Sequence, residues 1–310
     1  MRSYSSAQPY TPARTQPARV ALLDKLLAYV ELSKPRIAVL ALVAVAVGYT
    51  LGSAGQWYPV PLFHALIGTA LVAVGSSALN QWLERDTDTL MNRTEARPLP
   101  SGRLQPAEVL RFGLLTAIGG CLYVAIAVNW LTCAACVTTV LLYVLVYTPL
   151  KRKTSLCTAV GAIPGALPPV LGWTAAGGQL DQGAFALFAL LFMWQFPHFL
   201  AIAWIYRHDY ANAGLKMLPE SLPRPYITGL MCTLYAILLL PVSLLPSEVA
   251  LAGNMYAWAA VILGIGYLIC SVRFMLHETI ETARGLLWAS LIYLPLLLLI
   301  LTWDHLQLLS

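Results

Sequence analysis

Nine long apolar runs leave this chain little choice of fold. They lie at roughly 37–53, 62–83, 107–128, 131–149, 157–176, 184–206, 226–246, 254–272 and 285–303, and most reach the ~17–25 residues with which a helix crosses a hydrocarbon core. Hydrophobic residues make up 59% of the sequence and charged residues 11%, against about 25% charged in a soluble domain. Such a chain cannot cover its surface in water. The expected fold class is all-α: a polytopic membrane protein with nine transmembrane helices bundled around an intramembrane cavity.

The charges orient the bundle. With the N-terminus placed in the cytoplasm, all 19 Lys and Arg residues fall in the N-terminal tail or in connections on that side, while Asp181, Glu248 and Asp304 remain opposite. This is the positive-inside pattern. It predicts a cytoplasmic N-terminus and an outside C-terminus in the plasma (inner) membrane of a bacterium. The net charge of +5 invites a nucleic-acid reading, but its placement along one membrane face argues against that partner and for membrane lipid. Residues 1–20 lack an apolar core before a cleavage-like site, so no signal peptide is expected. Residues 1–29 are expected to be a cytoplasmic tail, partly disordered where Ser, Pro, Thr and Arg dominate, and 30–310 a single transmembrane domain. Val20–Leu32, which straddles that boundary, has apolar residues at helical spacing and is expected to lie along the inner surface before Pro35 opens the first span. Cys133 and Cys136 have the spacing of a metal or redox pair, but with no second pair they read as small helix-packing residues.

The chemistry concentrates in Asn80–Arg103. On a helix Asn80, Glu84 and Asp88 are four residues apart and share a face. Glu84 and Asp88 repel one another by roughly 0.2–0.5 kcal/mol as like charges at i,i+4, and a bound cation would reverse that. Asp86 points about 160° from Asp88 on a continuous helix, so it ranks below them while remaining a candidate ligand. The fourth span ends in Tyr147-Thr-Pro-Leu-Lys151-Arg152-Lys153. This reads equally as a positive-inside anchor or as a phosphate site with an aromatic face turned to a cation. Gly161 to Pro169 breaks the fifth span, as membranes tolerate where irregular backbone lines a cavity or is buried in protein. Gln195 and His198 lie one turn apart in the sixth span, where polar residues usually face a cavity; the alternative for His198 is a buried histidine hydrogen-bonded to a neighbouring helix. Asp209 mirrors Asp88 at the end of an even-numbered span.

These residues carry a resemblance. Ser33-Lys-Pro-Arg36, Glu84-Arg-Asp-Thr-Asp88 with Met91 and Arg93-Thr94, Arg97-Pro-Leu-Pro-Ser-Gly-Arg103, Tyr147–Arg152, Gly161–Pro169, Trp194-Gln-Phe-Pro-His-Phe199 and Asp209–Gly214 with Met217-Leu-Pro219 occur in an order similar to the UbiA-type intramembrane prenyltransferases. The similarity is to their heme-modifying branch. Gln81 stands where the wider family has an acid, and Ala213 stands where it has a second aspartate.

The resemblance implies an Mg2+-dependent enzyme. It would transfer the farnesyl group of farnesyl diphosphate to a vinyl group of heme B, a substrate rather than a cofactor, with water added to give heme O. It further implies Asn80, Glu84, Asp88 and Asp209 as metal ligands, with Asp86 as a further candidate. Tyr147 would join them in catalysis, Arg93, Arg97, Lys151 and Arg152 would hold the diphosphate, and His198 and Gln195 would contact heme. A downstream heme A synthase or terminal oxidase assembly would receive the product. The rivals are a relative acting on a quinone precursor or chlorophyllide and, from another class, a transporter or non-catalytic heme-binding membrane protein.

Overall fold

The computed structural model describes residues 18–56, 58–218 and 226–310. Its helices are α1 (Ala18–Leu32), α2 (Pro35–Gly52), α3 (Pro59–Asp88), α4 (Pro106–Ala127) and α5 (Trp130–Val140), the last continued by a π-helical segment, Leu141–Tyr147. Then come α6 (Thr148–Leu150), α7 (Cys157–Ala166), α8 (Pro168–Ala175), α9 (Gln182–Ile205) and α10 (Arg207–Asn212). The chain closes with α11 (Ile227–Val242), α12 (Leu245–Glu248), α13 (Asn254–Leu276) and α14 (Ile280–Leu309). No strand occurs among the described residues.

Eight stretches among the described residues are long and apolar enough to cross a membrane, and the chain is an all-helical integral membrane protein. The fifth expected span, 157–176, takes another form. It consists of α7 and α8, which have 10 and 8 residues and meet at Leu167. Pro168 and Pro169 supply no backbone N–H to a helix arriving from α7, so a continuous rod stops there. The two halves then serve different neighbours: α7 packs on α9 and α8 on α2.

Helix α3 runs through to Asp88, past the apolar run that stops near 83, which keeps Asn80, Glu84 and Asp88 in one helical phase. The end of α3 at Asp88 is held by an apolar cluster. Met91, Cys157, Ala203, Tyr210, Ala213, Leu215 and Met217 pack together, with Tyr147, Leu150 and Tyr206 against them. The α3–α4 connection, the end of the fourth span and the segment around α10 therefore meet at one end of the bundle. A backbone bond from Lys216 N–H to the Lys151 carbonyl, 2.7 Å, links two of them directly.

Helix α1 begins at Ala18, so the part of the expected tail from there to residue 29 is helical. Residues 1–17, where disorder is expected, lie outside the described residues, as does Pro219 of the Met217-Leu-Pro219 motif. Lys25 Nζ meets Glu108 at 2.6 Å and Glu31 meets Arg103 at 2.7 Å, docking α1 beside the α3–α4 connection. Its Leu22, Leu23, Leu26, Leu27 and Val30 are exposed, as in a helix that lies along an apolar–aqueous boundary. Cys133 and Cys136 are buried and free.

Candidate active site

Three residues of α3 face three cations. Lys34 donates from Nζ to Asn80 Oδ1 at 3.1 Å, Lys151 donates to Glu84 Oε1 at 2.7 Å, and Arg97 Nη1 reaches both oxygens of Asp88 at 2.9 and 2.7 Å. Each cation comes from a different segment. Lys34 caps α2 in the left-handed backbone region, with φ 49°. Lys151 follows α6, and Arg97 lies in the α3–α4 connection, where Thr94 Oγ1 also donates to the Asp88 carbonyl at 2.8 Å. Asp88 has no exposed surface and Glu84 keeps 8%.

The opposite wall is aromatic. In the segment Leu141–Tyr147 the Thr148 N–H bonds to the Tyr143 carbonyl, five residues back. Pro149 has no N–H to continue the α pattern, and the helix widens just before it. The rings of Tyr143 and Tyr147 stack at 5.5 Å and 25°. Asn80 Nδ2 donates to Thr148 Oγ1 at 3.1 Å, which ties α3 to this segment. Gly161 makes the room: a Cβ there would stand 2.6 Å from the Tyr147 ring. The Lys151 ammonium lies 4.4 Å from the centre of that ring. Burial works against its charge, but Tyr147 and the Glu84 carboxylate beside it prevail and raise its pKa above the ordinary lysine value.

Other expected site residues take different places. Arg93 lies between the rings of Tyr206 (4.6 Å) and Tyr210 (5.2 Å) and donates to the Tyr210 hydroxyl at 2.9 Å. It clamps the α3–α4 connection to α10, next to Asp209. Arg152 reaches Thr87 Oγ1 at 3.5 Å. Asp86 is exposed and pairs with Arg85 at 3.6 Å, so the candidate ligand points away from the other acids, as helical phase requires.

The three acids of the expected metal set, Glu84, Asp88 and Asp209, do not gather as a group of three. Among the described residues no three of His, Cys, Asp and Glu converge as a metal cage. The reason is electrostatic and topological: Glu84 and Asp88 each turn to a cation, while Asp209 rides on the short helix α10. The donors on α3 nevertheless suit magnesium, since an amide oxygen and two carboxylates are hard oxygen ligands and Mg2+ keeps several positions for water and phosphate.

Deeper in α9, Gln195 uses its amide hydrogens on the Ala162 and Leu191 carbonyls, at 3.1 and 2.9 Å. It fits against Gly165, where a Cβ would lie 2.0 Å from its Oε1. Gln195 thus splices the broken span to α9. His198 Nδ1 bonds to Ser290 Oγ at 2.7 Å, and its ring stacks on Trp194 at 4.9 Å. Sequence reasoning missed Lys34, Tyr143 and Thr148 as site residues. For Lys34 a signal was present, in Ser33-Lys-Pro-Arg36, but a lysine before a proline at a helix entry also serves as an ordinary membrane anchor.

The UbiA prenyltransferase family model matches residues 41–292. This chain belongs to the UbiA prenyltransferase family. Its relatives include the protoheme IX farnesyltransferase of Solibacter usitatus, 44% identical over 89% of this chain and 98% of that protein. That of Koribacter versatilis is 42% identical over 94% and 98%. Solved structures with the same fold include a digeranylgeranylglyceryl phosphate synthase, with a TM-score of 0.75 at 18% identity over 92% of this chain and 99% of that one. Another is a UbiA homologue from Archaeoglobus fulgidus bound to GPP and Mg2+, with a TM-score of 0.64 at 17% identity over 89% and 99%. As a UbiA family member the chain is a prenyltransferase.

Proposed function

We propose that this prenyltransferase joins the farnesyl group of farnesyl diphosphate to a vinyl group of heme B, giving heme O and diphosphate. The observation that carries the reading is the match to relatives named protoheme IX farnesyltransferase over 98% of their own length. The site accords with it: oxygen donors and cations face each other beside two stacked tyrosines, at a bundle end where a lipid-soluble chain can keep its head near water.

Asn80, Glu84 and Asp88, with Asp209 from α10, are the residues that would hold magnesium. When bound, the ion supplies a Lewis acid that offsets charge on the leaving diphosphate. Lys151 and Arg97 neutralise the remaining charge, with Arg152 beside them, as the allylic C1–O bond breaks. Arg93 positions α10 rather than holding phosphate. The Tyr147 face, already turned to an ammonium in this structure, suits the allylic cation by the same cation–π attraction. The heme vinyl group attacks that cation. Water then adds to the resulting heme-side cation and loses a proton, leaving a hydroxyethylfarnesyl group. His198, with Nδ1 committed to Ser290, presents Nε2 as the candidate heme contact, whereas Gln195 serves packing.

The positive-inside charge pattern supports a plasma-membrane enzyme of a bacterium, with N-terminus inside and C-terminus outside. Heme A synthase or a terminal oxidase assembly is the recipient of the product. The test is conversion of heme B to heme O by purified protein with farnesyl diphosphate, with and without magnesium, alongside 4-hydroxybenzoate as acceptor. Magnesium-dependent heme O is the expected result; a prenylated benzoate with no heme product would overturn it.

A further inference from the structure

We propose that the site admits magnesium and the diphosphate group as one unit and binds either alone weakly, because each α3 ligand is held by a cation that the diphosphate must take over. The inference rests on reading the site as a metal–diphosphate site and specifies what that site accepts.

The pairing is one to one. Asn80 has Lys34, Glu84 has Lys151 and Asp88 has Arg97, at 3.1, 2.7 and 2.7 Å in closest approach. Lys151 and Arg97 face the two carboxylates, and Lys34 donates to the amide oxygen. Consider magnesium arriving alone. To reach Glu84 and Asp88 it must displace Lys151 and Arg97, leaving two cations without counter-ions beside a new divalent charge. Breaking a buried pair by removing one partner is strongly unfavourable. Now consider the diphosphate alone. It can draw Lys151 and Arg97 to itself, but then it faces two bare carboxylates.

When both arrive, every charge finds an opposite one. The carboxylates and the Asn80 amide turn to the metal, while Lys34, Lys151 and Arg97 turn to phosphate oxygens. The pairs in this structure are therefore the resting form of an exchange, and the long, flexible stems of lysine and arginine allow it without helix movement. Arg93 is excluded from the exchange because Tyr206 and Tyr210 hold its guanidinium. By linkage, magnesium must strengthen diphosphate binding by the same factor that the diphosphate strengthens magnesium binding.

The test uses full-length purified protein, Mn2+ as a spectroscopic substitute for magnesium, and farnesyl thiolodiphosphate as a slowly ionising analogue. Bound Mn2+ is read by electron paramagnetic resonance and analogue binding by calorimetry. In the wild type, each is expected to raise the affinity for the other by about tenfold or more, within the usual range of coupling between sites. Lys151→Gln and Arg97→Gln each release one carboxylate. Either variant should bind Mn2+ alone several-fold more tightly than wild type and gain thermal stability from the metal by mass action, while binding the analogue more weakly. Unchanged Mn2+ affinity in both folded variants would overturn the exchange, as would wild-type binding of either component that ignores the other. Failure to bind the analogue under any condition would instead overturn the assignment as a metal–diphosphate site.

Discussion

Arg97 grips Asp88 through a single nitrogen: Nη1 stands 2.9 and 2.7 Å from the two carboxylate oxygens, and Asp88 is wholly buried. Asp88→Asn keeps the shape and removes the charge. Heme O formation is expected to fall by about 10²–10³-fold, the usual scale for losing one preorganised charge-stabilising group. Asp88→Ala also strands the guanidinium, at about 3–5 kcal/mol for a fully buried pair. The loss should be smaller here because Arg97 keeps 23% of its side-chain surface exposed. Turnover and thermal unfolding, measured on the same preparations, separate the two effects; undiminished turnover in Asp88→Asn would remove the metal role.

Much of this arrangement was legible in the sequence. The i,i+4 spacing of Asn80, Glu84 and Asp88 placed them on one face because a helix has 3.6 residues per turn. Prolines at 168 and 169 announced the broken span. Which cation meets which acid was not legible. Arg97, Lys151 and Lys34 come from three segments whose approach depends on tertiary packing around Met91, Cys157 and Tyr210, and local pattern carries no record of that. The same limit hid the role of Gln195, because its carbonyl partner at Ala162 lies 33 residues away.

Asp86 supplies the contrasting prediction within the same turn. Its exposed side chain pairs with Arg85 at 3.6 Å, away from Glu84 and Asp88. Asp86→Ala should leave magnesium-dependent turnover unchanged and stability within about 0.5 kcal/mol, as for a surface position without special contacts. Glu84→Gln should lose turnover as Asp88→Asn does. A metal-affinity loss in Asp86→Ala comparable to that in Glu84→Gln would show that α3 unwinds before Asp88 when loaded.

Gly161 tests the aromatic wall. A methyl group at this position would meet the Tyr147 ring at 2.6 Å, and that ring is wedged between α7 and the Lys151 ammonium. Gly161→Ala is expected to destabilise the protein by about 1–3 kcal/mol through overpacking. It should also lower kcat by displacing Tyr147. Pairing it with Tyr147→Leu, which shortens the side chain, should recover stability without recovering turnover. If the single variant is as stable as wild type, Tyr147 has room to move and the wall is not fixed by α7.

Lys34 gives the chain a pH dependence of its own. Burial, reinforced by the Arg97 guanidinium, lowers its ammonium to about 7 from an ordinary value of 10.5, even against the pull of Glu84. The unfolded chain holds this proton until pH approaches 10.5, whereas the folded chain releases it near 7. Between those values the unfolded state binds more protons, so stability must rise with pH. Below about 7 both states carry the proton and the full penalty of burying the charge stands. Lys34→Met has no such proton. Its unfolding temperature should therefore exceed that of wild type most at pH 6.5, with the gap closing steadily toward pH 9.5. Parallel unfolding curves across that range would mean that the Lys34 ammonium is as well solvated in the fold as outside it, and its contact with Asn80 would then be a surface interaction rather than part of a buried site.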